Sequence, residues 1–372
     1  MHLHEQPEWP NFTWQNEALM GDLGRVHQRY GRLQGLFDAL GILPQSETTL
    51  ANLTEDALRS AEIEGERMEL RQVRSSVARR LGMDIPDPVP ATREVDGMVD
   101  LTMDAIVHCR ERLTEQRLFA WHGALFPTGR SGLLQIRIGA WRDDSHGPMQ
   151  VVSGGFGRER VHFQAPAAER LPAEMERFLA WFETATSLDP ILHAGVAHLW
   201  FLTLHPFDDG NGRIARAITD LRLARMSGGA VHFHSLSAAI LAERKEYYRI
   251  LEVSQADSLD ITPWLKWFLG CLDRALERAE STIATVLERH TFWQRHGAIP
   301  FNDRQRKLLG LLLEGFEGKL TSGKWAKIAG CSSDTALRDI QDLVGRGILE
   351  RDGAGGRSTG YRLVFAPTSS AS

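Results

Sequence analysis

A proline at position 206 ends the most apolar stretch of this 372-residue chain, and that interruption constrains the fold more than any other feature. The stretch from Ile191 to Leu204 is interrupted by His193 and His198 and falls short of the roughly 20 residues that cross a bilayer, so it reads as a buried core helix. Pro206 has no N–H and its ring clashes with the preceding turn, so this helix ends near His205. A second helix starts around Gly212. Two helices with a short polar loop between them, and His205 at the junction, thus form the middle of the chain.

The flanking sequence is also mainly helical. Leu19, Leu23, Val26, Tyr30, Leu33, Phe37 and Leu40 recur at steps of three and four, which predicts a long amphipathic helix between Phe12 and Leu40. A second helix is expected from near Thr54 past Ser75, ending before Pro86, Pro88 and Pro90. Val95 to Leu113 and Leu118 to Phe126 read as two more. Strands are expected at Leu134–Trp141 and, as a hairpin around GGFGRE, at Met149–Ser153 and Val161–Gln164. From Pro172 to about Ser281 the pattern is helical, and Trp264, Trp267, Phe268, Cys271 and Leu272 share one face of a late helix. Beyond Pro300 come helices at Leu308–Leu313, Trp325–Ala329 and, capped by Ser333, to Val344. Ile348–Glu350 and Tyr361–Val364 then flank GAGGRSTG, which is the order of a winged helix-turn-helix. The expected fold class is mainly α with a β-hairpin flap. Its expected domains are 1–85 (helical), 91–290 (the core) and 298–366 (the winged helix).

Composition narrows the function. With 43 Lys and Arg against 48 Asp and Glu, the net charge of −5 gives no sign of a dedicated polyanion or membrane-surface binder. The three cysteines, Cys109, Cys271 and Cys331, are far apart and odd in number, so neither a disulfide framework nor a CxxC metal cage fits. The first residues, MHLHEQPEWPNF, lack the pattern of a secretory signal, and a cytoplasmic protein is expected.

The loop and second helix, His205-Pro-Phe-Asp-Asp-Gly-Asn-Gly-Arg-Ile-Ala-Arg216, concentrate chemistry. Gly210 and Gly212 let backbone amides converge, and the helix behind them offers free N–H groups and its positive dipole end, which together cradle an anion. Arg213 and Arg216, three apart on that helix, reach the same side and grip phosphate oxygens, and Asn211 adds an amide donor. Asp209 supplies the single carboxylate that a magnesium ion shared with phosphates commonly uses. An imidazole with an ordinary pKa near 6.5, as at His205, takes the proton of a hydroxyl attacking phosphorus. The pattern reads as nucleotidyl transfer. A zinc hydrolase built on His193, His198, His205 and Asp209 fits less well, because helical steps of five turn about 500° and leave His193 off the shared face. His193 and His198 read as core histidines, and His232 and His234 as structural.

HPFDDGNGRIAR matches the Fic family signature HPFx[DE]GNGRxxR at every fixed position, and WRDDSHGPMQVVSG with the hairpin after it resembles the Fic flap. The N-terminal helices resemble the uncharacterised domain that often precedes Fic in bacteria. The resemblance implies transfer of AMP from ATP, with Mg2+, to a hydroxyl side chain of a target protein. It implies that His205 is the base, Asp209 the metal ligand, and Gly210, Asn211 and Gly212 the donors to the α-phosphate. Arg213 and Arg216 then serve the β- and γ-phosphates, and Tyr248 lies by the adenine. Ser60-Ala-Glu-Ile-Glu64-Gly65 resembles the Fic inhibitory motif [ST]xxxE[GN], implying a brake. Ser60 and Glu64 lie on one helix face, and Glu64 is expected to pair bidentately with Arg216.

Two alternatives stand beside this reading. One is a DNA-binding regulator: residues 301–365 hold eleven Lys and Arg against eight Asp and Glu, a net +3 where the remainder carries −8. However, Asp334, Asp339 and Asp342 beside Arg338 and Arg346 make a mixed recognition helix that suits phosphates poorly. DNA is therefore not favoured as a partner, and protein contacts or homodimer packing are the preferred use of this domain. The other is removal of AMP at the same site, with a glutamate orienting water. No membrane partner is expected.

Overall fold

The computed structural model describes residues 2–145, 147–153, 160–184, 188–228, 233–256, 258–313, 316, 318–352 and 359–364. His232, the GGFGRE segment at 154–159, most of GAGGRSTG (353–358) and the last eight residues lie outside them. The chain divides into two compact units, Met1–Ile283 and Ala284–Ser372.

The first unit is helical because its apolar residues repeat at three and four. Helix α1 (Asn16–Asp38) buries Leu19, Val26, Tyr30, Leu33 and Phe37, the expected stripe. It begins four residues later than its apolar pattern, since Phe12 and Thr13 donate their backbone N–H groups to Pro10 and Leu259. The single helix expected from Thr54 past Ser75 is instead two, α2 (Ile42–Ile63) and α3 (Leu70–Leu81). Two features break it. Gly65 takes a left-handed φ of 87°, and the Glu69 side chain starts α3 by accepting from the N–H groups of Arg71 and Gln72.

Helices α4 (Arg93–Val107) and α5 (Glu115–Leu125) follow, each begun by a threonine side chain, Thr92 and Thr114. The strand expected over Leu134–Trp141 shrinks to β2 (Leu134–Gln135), paired with β1 (Arg130–Ser131). Beyond it the backbone donors leave the ladder: Ile136 bonds the Gly129 carbonyl, and Arg137 bonds the Asp208 carboxylate. Strands β3 (Gln150–Ser153) and β4 (Arg160–Gln164) form the expected antiparallel hairpin.

After α6 (Leu171–Glu183), every residue of α7 (Pro190–Leu204) from Ile191 onward is buried, so α7 is a central helix, covered on all sides. Its neighbours include α6 and α8 (Asn211–Ala224), and α8 also packs on α4. Helices α9 (Leu236–Ala242), α10 (Arg244–Ala256) and α11 (Thr262–His296) complete the sequence of elements; Trp264, Phe268, Cys271 and Leu272 of α11 are buried, as their spacing predicts. Among the described residues no helix is long and apolar enough to cross a membrane.

The second unit runs α12 (Asp303–Leu313), α13 (Ser322–Ala329), α14 (Ser333–Gly345) and the antiparallel pair β5 (Leu349–Arg351) and β6 (Tyr361–Leu363). Leu308, Trp325, Ile340, Leu343 and Leu363 lie in its core. The cap of α14 is Ser332, whose hydroxyl accepts from the Thr335 N–H, and Ser333 is the first helical residue. Two of the acids read as spoiling the outer face of α14 are engaged within the unit. Asp339 is buried against Arg304 at 2.7 Å, and Asp342 accepts from Gln305 at 2.7 Å and pairs with Arg346 at 2.9 Å.

Candidate active site

The site is built where α7 stops. His205 closes α7 in the left-handed conformation (φ 48°, ψ 56°), which costs a non-glycine residue roughly 1–2 kcal/mol and persists only if neighbours hold it. Arg142 does so. Its fully buried side chain donates to the His205 carbonyl at 2.8 Å and the Pro166 carbonyl at 2.6 Å, and its own N–H bonds the Pro206 carbonyl at 2.9 Å. Asp144 balances its charge at 2.9 Å.

The loop is fixed from below. Phe207 is buried, stacks on His122 with ring centroids 4.3 Å apart, and meets Trp141 at 5.2 Å. Asn211 accepts from the Phe207 N–H at 3.0 Å and donates to its carbonyl at 2.8 Å. The loop's own backbone thus engages the Asn211 carbonyl oxygen and one of the two N–H groups of its amide. Asp209 accepts from the Ser131 hydroxyl and, at 2.5 Å, from the Gly210 N–H.

Gly210 (φ 81°) leads into α8, whose first N–H groups have no partner within the helix. At Gly212 a Cβ would overlap the Glu64 carboxylate, so only glycine lets that carboxylate settle on the helix N-terminus. Arg216, 1% exposed, pairs with Glu64 Oε1 through Nη2 at 2.9 Å. Its Nε and Nη2 donate to the Ser60 hydroxyl and carbonyl, each at 2.8 Å. The pair is therefore end-on through Nη2 rather than bidentate, with Ser60 taking Nε and a second bond from Nη2. Burial lowers the Arg216 pKa most, and the Glu64 charge and hydrogen bond together with Tyr247 and Tyr248 outweigh it, leaving a net raised value. The second Glu64 oxygen accepts from the Tyr248 hydroxyl at 3.3 Å, while Arg244 lies 5.5 Å from the centre of the tyrosine ring.

Arg213, also buried, lies over the Phe126 ring at 4.9 Å and 3.9 Å from Asp209. Its Nη1 donates to both oxygens of Glu66, at 2.8 and 2.7 Å. Arg213 Nε and Arg216 Nη1 have no hydrogen-bond partner among the described residues. Buried guanidinium donors of that kind are costly to leave unmade.

His205 is depressed to about 4, first because burial disfavours the charged ring and then because the Arg142 cation opposes a second positive charge. It is neutral at pH 7, as a proton acceptor must be. His193 lies flat on Trp181 at 4.2 Å and accepts from Arg222, and His198 bonds Thr219 and Tyr247, each at 2.9 Å. Both act as core histidines.

The structure thus gathers Ser60, Glu64, Tyr248, Gly212 and Arg216 at one point and Asp209 and Arg213 beside it. Sequence reasoning missed Arg142, Ser131 and Glu66. Arg142 and Ser131 carry no local signal, and Glu66 sits in a charge-rich segment that reads as a solvated helix face.

The donor set fits magnesium arriving with a polyphosphate rather than a metal caged by protein. Asp209 offers one carboxylate, and no group of three His, Cys, Asp or Glu side chains among the described residues is placed to hold an ion.

A left-handed histidine, a helix N-terminus flanked by glycines and two buried arginines thus meet in one helix-loop-helix. Residues 112–223 match the Fic/DOC family model. Residues 2–83 match a domain of unknown function, DUF4172. A relative from Drosophila mojavensis, named protein adenylyltransferase Fic, is 27% identical over 261 residues, covering 67% of this chain and 47% of that protein. The chain therefore spans about half the length of the relatives it matches. In fold it is similar to a Fic family protein from Desulfovibrio desulfuricans G20 (TM-score 0.55, 23% identity, covering 96% of this chain and 99% of that one). A Fic-domain signaling protein from Bacteroides thetaiotaomicron VPI-5482 gives a TM-score of 0.52 at 21% identity, covering 70% of this chain and 98% of that one.

Proposed function

We propose that this chain is a protein adenylyltransferase that moves AMP from ATP to a hydroxyl side chain of a target protein and is held off by Glu64. One observation carries the reading: a carboxylate rests on the α8 N-terminus and on buried Arg216, which is the environment a phosphate group seeks. The orphan donors on Arg213 and Arg216 support it, since a polyphosphate supplies the acceptors they lack. The name of the Drosophila relative supports it as well.

In this reading the target hydroxyl is held near His205, whose neutral ring nitrogen takes the proton. The freed oxygen bonds the α-phosphorus, and the bond from that phosphorus to the pyrophosphate oxygen breaks. The α8 N-terminus with the Asn211 and Gly212 amides holds the α-phosphate, joined by the Gly210 amide once Asp209 turns to the metal, and Arg213 and Arg216 hold the departing phosphates. Asp209, steadied by Ser131, is the residue that would hold Mg2+. When bound, that ion offsets phosphate charge. Tyr248 lies next to the brake and is assigned to the adenine side. We assign 1–85, 91–290 and 298–366 to brake, catalytic core and winged helix.

Incubation with ATP and magnesium, followed by mass spectrometry of the protein and of a lysate, tests this. Glu64→Gly is expected to show added AMP on Ser, Thr or Tyr, and Glu64→Gly with His205→Ala to show none. AMP on neither, with ATP bound, would reject the activity.

A further inference from the structure

The end of α2 explains why two acids, not one, face the arginines. Glu64 is its C-cap, Gly65 follows with φ 87°, the Gly65 N–H bonds the Glu62 carbonyl at 3.0 Å, and the Glu66 N–H bonds the Ala61 carbonyl at 3.1 Å. These two bonds and the left-handed glycine make a Schellman turn, which fixes the backbone of Glu64 and Glu66 relative to each other. Each carboxylate takes a different arginine of α8: Glu64 takes Arg216 at 2.9 Å, and Glu66 takes Arg213 at 2.7 Å. Both arginines are at least 98% buried by side chain, so each carboxylate answers a cation with little water to share its charge. Beside Arg213 lies a cavity of about 380 Å³, lined by Glu66, Phe126, Arg130 and Ser131 among others, which is room for an anion once Glu66 leaves.

We infer that Glu66 is a second inhibitory residue: the strap is a dianion whose two carboxylates occupy the places of two neighbouring phosphate groups, so releasing Glu64 alone frees only half the site. This deepens the adenylyltransferase reading and rests on it for the nucleotide, but the contact itself predicts anion binding without any chemistry. Glu66 is 44% exposed, so its hold on Arg213 is weaker than a fully buried pair. The low end of the range for hydrogen bonds to charged groups, about tenfold in affinity, is the expected effect of its loss.

The probe is inorganic pyrophosphate, titrated by calorimetry without added magnesium into wild type, Glu64→Gly, Glu66→Gln and the double variant. Glu66→Gln is expected to tighten pyrophosphate about tenfold on the Glu64→Gly background, and Glu66→Ala to do the same. The gain should vanish when Arg213→Ala is added. Glu62→Gln removes an equal charge from the exposed side of the same helix end and should change nothing. Equal affinity in Glu64→Gly and the double variant overturns the inference, as does a gain that survives Arg213→Ala or is matched by Glu62→Gln. Tight pyrophosphate binding without AMP transfer in the double variant would instead reject the adenylyltransferase reading and leave the second latch standing.

Discussion

Removing Glu64 should make the free protein less stable and its complex with nucleotide relatively more so. Arg216 is 1% exposed and its carboxylate partner 28% exposed. Deleting one member of a buried ion pair costs about 3–5 kcal/mol, because the other charge stays behind without compensation. Two features reduce that cost here: Glu64 keeps some contact with water, and the Ser60 hydroxyl and carbonyl still accept from the guanidinium. A loss of roughly 2–3 kcal/mol is the working figure for Glu64→Gly, or about 5 °C in Tm for a unit of a few hundred residues. ATP with magnesium supplies the missing anion, and a ligand at 100 times its Kd returns about 2.7 kcal/mol. Differential scanning fluorimetry with and without ATP therefore has a signed outcome. The apo variant melts below wild type, and ATP raises the variant's Tm by more than it raises that of wild type. A variant as stable as wild type, with no larger response to ATP, would show that Glu64 does not compensate Arg216.

Two further outcomes follow from the same geometry. Because His205 sits near 4 instead of 6.5, transfer by the released enzyme should be flat from pH 8 down to about 5.5, and a fall centred near 6.5 would place an ordinary histidine at the base position. The fully buried His122 (about 4), His193 (about 3) and His198 (about 3) have folded pKa values below their unfolded ones, so the unfolded chain gains protons first as pH falls below about 6.5. At pH 5 each costs roughly 2 kcal/mol, only partly opposed by buried Asp220, whose raised pKa acts in the other direction; Tm should drop from pH 7 to 5, and an unchanged Tm would contradict the burial. Proline at Val151 and Val152, the exposed apolar residues of β3, should impair modification of a target protein more than ATP binding, as measured by transfer and calorimetry side by side; equal losses would make the hairpin structural only.

What was legible in the sequence is what local rules determine. Pro206 and the apolar run before it located the α7–loop–α8 centre, and period-3.6 stripes located α1, α4 and α11. The hairpin followed from alternation around glycines. The misreadings occur where a backbone choice depends on distant partners. The apolar positions near Thr54–Ser75 keep helical spacing on both sides of Glu64–Glu69, and the Schellman turn at Gly65 with the Glu69 cap separates two helices there. Leu134–Trp141 alternates like a strand, yet its donors are claimed by Gly129 and Asp208. Asn211 reads as a ligand donor because an amide beside glycines suits phosphate, and its second task of holding Phe207 has no signal in the sequence. Glu66 and Arg213 are 147 positions apart, and nothing in a charge-rich segment tells which of its acids crosses that distance.

The central claim is that Glu64 acts through Arg216, and transfer rates in a double-mutant cycle test it most directly. Labelled AMP incorporation is measured for wild type, Glu64→Gly, Arg216→Ala and the two combined. Hydrogen bonds between charged groups contribute about 1.5–3 kcal/mol, so Glu64→Gly should raise the rate about 10- to 150-fold. Arg216→Ala should lower it, and adding Glu64→Gly to Arg216→Ala should give almost no further gain, the non-additivity expected of a shared contact. If Glu64→Gly instead speeds transfer by the same factor whether or not Arg216 is present, the carboxylate acts elsewhere and the account of the brake is wrong.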